Sequence, residues 1–81
     1  MRERIITILS EVFEQPISVD SSVDNVEGWD SLRHLNMVQR VEKEFGIRIP
    51  DEDTVNMINF KLIELIINEQ VSLQSMAPGQ A

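Results

Sequence analysis

Three segments of this sequence space their apolar residues three and four apart, the pattern of one buried helix face. In residues 3–14, Ile5, Ile8, Leu9, Val12 and Phe13 fall on one side. Pro16 stops that run, because the residue before a proline is pushed out of the α region. In residues 31–45, Leu35, Val38, Val41 and Phe45 share a side, Asp30 or Ser31 can cap the start, and Gly46 ends it. The third segment, residues 60–71, turns Leu62, Ile63, Leu65, Ile66 and Ile67 inward. Between the last two, Pro50 followed by Asp51, Glu52 and Asp53 predicts a short helical turn over 51–56, with proline in the first helical position and acids at the positive end of the dipole. The expected fold is all-α: a four-helix bundle of three main helices plus a short third helix. A long loop over 15–29 joins helices one and two, pinned to the core by Ile17, Val19, Val23 and Val26. The domain is expected to take residues 1–71, with 72–81 a disordered C-terminal tail.

Size and charge narrow the function. The 81 residues hold no cysteine, which excludes disulfides, thiolate metal sites and a native thiol nucleophile. A chain this short has no room for a deep cleft walled on all sides. Fourteen acids against seven bases give a net charge of −7, which opposes nucleic acid and anionic lipid. No stretch reaches the ~20 apolar residues of a membrane span, so a cytoplasmic protein without membrane insertion is expected.

The informative stretch is Gly28-Trp29-Asp30-Ser31-Leu32. It sets a serine hydroxyl at the start of an amphipathic helix, where free backbone amides favour an attached phosphodiester. The Asp30-Ser31-Leu32 triplet, together with Glu42, Glu44, Phe45, Gly46, Ile47 and Ile49-Pro50-Asp51, resembles the acyl carrier protein family over residues 3–71. The resemblance implies 4′-phosphopantetheine on Ser31, flanked by Asp30 and Leu32. It implies a phosphopantetheinyl transferase that moves the group from coenzyme A with magnesium, and an arm whose thiol holds acyl or aminoacyl intermediates as thioesters. Other implied partners are acyl-loading, condensing and acyl-transferring enzymes. The chain would then be a monomeric, non-catalytic carrier. It would be a stand-alone protein, which Met1 and the short tail favour, or a module of a larger synthase. Two readings compete: an acidic helical adaptor without a prosthetic group, and a hydrolase built on Ser31, His34 and Asp30. The second lacks a nucleophile elbow and an oxyanion pocket.

Several side chains take expected places. Arg33, Asn36, Arg40 and Lys43 lie on the outer side of helix two, and with Met37 and Met57 they are read as partner-docking residues. Residues 31–50 hold four bases and two acids, whereas carriers of bacterial fatty-acid synthesis usually show an acidic second helix. A dedicated pathway is therefore expected, such as polyketide, nonribosomal, lipid or surface-glycan synthesis. Leu35, Val38, Ile49, Phe60 and Ile63 are expected to form the core or an acyl cavity. Trp29 is read as a loop anchor and His34 as a half-buried histidine bonded to backbone or loop. Asp20, Ser22 and Asp24 copy the start of a calcium loop, but Asn25 replaces its glycine and Ser31 its glutamate, so no metal is expected.

Overall fold

The computed structural model describes residues 1–75, which form α1 (Arg2–Phe13), α2 (Ser31–Phe45), α3 (Asp51–Thr54) and α4 (Phe60–Ser75), with no strand among them. The apolar faces meet as the spacing requires. Ile5, Ile8, Leu9 and Phe13 of α1 pack with Met37, Val38 and Val41 of α2 and with Phe60, Ile63, Ile66 and Ile67 of α4. Burying a Leu, Ile or Phe side chain contributes about 1.5–3 kcal/mol, so this cluster supplies the main stabilisation of a chain without staples.

α1 stops at Glu14, which takes the left-handed conformation (φ 56°) and turns its N–H back to the Ser10 carbonyl. The stop therefore precedes Pro16 by two residues; the proline blocks continuation rather than causing the turn. The loop that follows is closed by Gln15 and Glu27. The Gln15 side-chain amide donates to the Glu27 carbonyl at 2.7 Å and accepts its N–H at 3.2 Å. Ile17 and Val26 are buried and Val19 half-buried, whereas Val23 is exposed. What fixes Val23 is its backbone, whose N–H donates to the Ile58 carbonyl at 2.9 Å, while the Phe60 N–H donates to Ser21 at 2.9 Å. The loop is thus tied to the start of α4.

Several further expectations are corrected. α2 is turned by roughly half a residue step from the predicted face. Met37 is fully buried, and Leu35 is 53% exposed. Both settings satisfy helical spacing; what decides is that α3 has only four residues and covers about 6 Å of its neighbour. Met37, long and adaptable, fills the core instead. Met57 is likewise fully buried, in the link after α3, so neither methionine lies on a docking surface. On α4, Leu65 faces out at 57% exposure.

α4 continues to Ser75, so residues 72–75 of the expected tail are helical; 76–81 lie outside the described residues. Gln74 explains the extra turn. Its amide brackets Arg48, accepting the backbone N–H at 2.9 Å and donating to the carbonyl at 2.7 Å. α3 ends at Thr54 rather than 56, and Pro50 is its cap rather than its first residue.

Candidate functional site

The site is the N-terminus of α2. Gly28 adopts φ 78°, a conformation that side chains resist, and its carbonyl accepts the Asp30 N–H at 2.9 Å. This turn lays Trp29 on Phe13, with ring centroids 4.5 Å apart. Asp30 then caps α2, its carboxylate accepting the Arg33 N–H at 2.9 Å. Of the two capping candidates, aspartate takes the role. Ser31, the first helical residue, is left exposed, and its hydroxyl makes no hydrogen bond to the described residues.

His34 lies one turn on and is half-buried. Its Nδ1 accepts the Trp29 indole N–H at 3.0 Å, and its Nε2 meets the Thr54 carbonyl at 2.8 Å. Both ring nitrogens are thus engaged away from Ser31, and no side-chain hydrogen bond links Ser31, His34 and Asp30; His34 and Asp30 share only the backbone bond of the first helical turn. A hydrolytic triad is not assembled.

Beside Ser31 opens a groove of about 860 Å³. Leu35, Val38 and Ile49 give it apolar surface, Thr54 and Val55 line it from α3 and its cap, and Glu42 and Arg48 add charged groups. Leu35, expected in the core or cavity, lines this surface groove. Phe60 and Ile63 lie fully buried in the core and do not line it.

The outer side of α2 is less basic in effect than its sequence. Arg33 is half-buried and donates to the Val12 carbonyl of α1 at 3.1 Å. Arg40 pairs with Glu11. Asn36 and Lys43 are exposed, with no side-chain partner among the described residues. The two acids are also occupied: Glu42 accepts the Ile49 N–H at 2.8 Å, and Glu44 pairs with Arg4. Leu32, next to Ser31, is 67% exposed. Sequence reasoning passed over Val55, 70% exposed on the opposite side of the groove; an aliphatic inside the polar run 51–56 was the available signal.

Residues 3–57, two thirds of the chain, match the family described as "Phosphopantetheine attachment site". The chain belongs to this family. It is also 40% identical over 43 residues to a protein of Rickettsia bellii (strain RML369-C) named acyl carrier protein. That match takes in 53% of this chain and 50% of the relative, so the chain spans about half the length of this curated relative. The family's group is 4′-phosphopantetheine, held covalently. A phosphopantetheine-binding chain needs a reachable hydroxyl and open surface beside it, and both are present at Ser31. No helix among the described residues is long and apolar enough to cross a membrane, and no group of three or more acidic or histidine side chains there could hold a metal.

Proposed function

We propose that Ser31 is the attachment residue and that the chain is an acyl carrier protein serving a dedicated biosynthetic pathway. The observation that supports this best is the division of labour at the helix start. Asp30 caps, and Ser31 keeps an exposed, uncommitted hydroxyl. The first amides of α2 favour the negative charge of a phosphodiester there. The group supplies a terminal thiol for thioester linkage, which a chain without cysteine lacks. Leu35, Val38 and Ile49 offer apolar surface to whatever the arm holds.

On this reading the protein is not an enzyme. It is the substrate of a phosphopantetheinyl transferase and the partner of enzymes that load, condense or transfer acyl groups. It works as a cytoplasmic monomer. A tether raises the local concentration of its cargo at each docked partner, so one small domain can serve several. Leu32, Asn36 and Lys43, exposed beside or beyond Ser31, form the docking face. Its lack of free acids supports partners distinct from those of fatty-acid synthesis.

The test is intact mass after incubation with coenzyme A, magnesium and a transferase of broad specificity. Addition of one phosphopantetheine, abolished in Ser31→Ala, is expected. An unchanged mass with several transferases would return the chain to the adaptor reading.

A further inference from the structure

The bonds of His34 fix its chemical form. An indole N–H can only donate, so the Nδ1 that meets it at 3.0 Å bears no hydrogen. A carbonyl can only accept, so the Nε2 that meets Thr54 at 2.8 Å bears one. The two partners together select the neutral imidazole with its hydrogen on Nε2. Trp29 itself packs against Phe13 with the two rings tilted, so a continuous line of contacts runs from α1 through Trp29 and His34 to the end of α3.

α3 needs such a hold. It follows buried Ile49 and precedes buried Met57, but none of its own four residues is buried. Trp29, His34 and Thr54 all line the groove that opens at Ser31. Whatever fixes Thr54 relative to α2 therefore fixes the groove beside the serine.

We propose that His34 is a positioning residue. By joining Trp29 to Thr54 it holds the end of α3 at a set distance from the start of α2, and so sets the width of the groove mouth next to Ser31. It does not touch the hydroxyl. Only the consequence, presentation of the attached group, rests on Ser31 being the attachment residue; the clamp itself exists in the unloaded chain.

The experiment compares His34→Leu and His34→Gln in the unloaded protein. Glutamine offers an acceptor and a donor from one amide, so it can replace both ring nitrogens; leucine replaces neither. In His34→Leu, amide exchange at Asp53 and Thr54 should rise about tenfold, while Ile8 and Leu9 of α1 stay within about twofold. The Trp29 indole N–H, deprived of its acceptor, should also exchange faster. His34→Gln should restore both. Unchanged α3 exchange in the leucine variant, or no restoration by glutamine, overturns the clamp. If His34→Leu loses protection in α1 as well, Trp29→Phe decides, since it keeps a ring on Phe13 while removing the donor. Raised α3 exchange with intact α1 then supports the clamp, and unchanged exchange overturns it.

Loading kinetics test the consequence. In His34→Leu the transferase KM for the carrier should rise several-fold with kcat within about twofold. An unchanged KM despite raised α3 exchange overturns the claim about the groove mouth. Normal loading of the wild type with unaltered α3 exchange in His34→Leu sinks the clamp alone. Raised exchange with no loading at all sinks the attachment reading alone.

Discussion

α1 and α3 are both helices, but they are held by different physics. α1 buries four large side chains in the shared core. α3 buries none; it is held by the buried residues at its two ends, by the hydrogen bond from His34 to Thr54 and by a longer one, 3.4 Å, from the Gln70 amide of α4 to the Asp53 carboxylate. Apolar burial is non-directional and adds up over area. A hydrogen bond contributes only about 0.5–1.5 kcal/mol net, but it fixes one geometry. The molecule thus has a rigid frame on one side of α2 and a lightly held wall on the other. Ser31 stands where the frame meets the wall.

Truncation should break this contrast most visibly. Phe13→Ala removes a buried ring that also supports Trp29 and should cost about 3–5 kcal/mol. Val55→Ala, on the groove side after α3, should stay within about 0.5 kcal/mol. Urea midpoints measure both; similar losses would mean that α3 is part of the frame.

A smaller effect separates the two residues at the start of α2. Asp30→Ala should cost about 1 kcal/mol through loss of the cap, whereas Ser31→Ala should be nearly neutral in thermal unfolding. A serine variant as costly as the aspartate one would show that the hydroxyl is already used.

The outer face should respond without a stability change. Asn36→Glu with Lys43→Glu should leave stability within about 0.5 kcal/mol, because neither side chain has a partner among the described residues. The pair should instead slow association with a cognate enzyme several-fold in a salt-dependent way. Salt-independent rates equal to wild type would remove these residues from the docking face.

The smallest effect belongs to the frame's surface. Arg2 donates twice to Glu64, at 2.7 and 2.8 Å, and these hydrogen bonds hold the Glu64 carboxyl below its ordinary range. A carboxyl with a lowered folded value stabilises above the unfolded value, and that gain is lost as pH falls through the folded one. Arg2→Ala should therefore melt slightly earlier at neutral pH, with the two melting curves converging on acidification. A gap that persists in acid would assign the loss to packing.

The legibility of the sequence followed the same division. α2 begins and ends where expected because both ends are written in local chemistry, an aspartate cap and a left-handed glycine. Trp29 as an anchor and His34 as a half-buried, backbone-bonded histidine were also legible from their place beside an apolar face. The rotation of α2 was not, because Met37 and Leu35 both satisfy helical spacing and only the short reach of α3 chooses between them. The last turn of α4 depends on Gln74 reaching Arg48, twenty-six residues away, which no local pattern encodes. Arg33 and Arg40 looked like free charges because their partners, the Val12 carbonyl and Glu11, lie on another helix. The groove is a product of tertiary placement: Ser31, Leu35, Val38 and Ile49 of its lining were named beforehand, but not that Leu35 lies at the surface or that Val55 joins them.

The central claim concerns one oxygen atom. Peptide mapping by tandem mass spectrometry, after loading from coenzyme A, locates the added group directly. The group is expected on the fragment containing Ser31, with the other serines unmodified. A modified fragment that excludes Ser31 would contradict it.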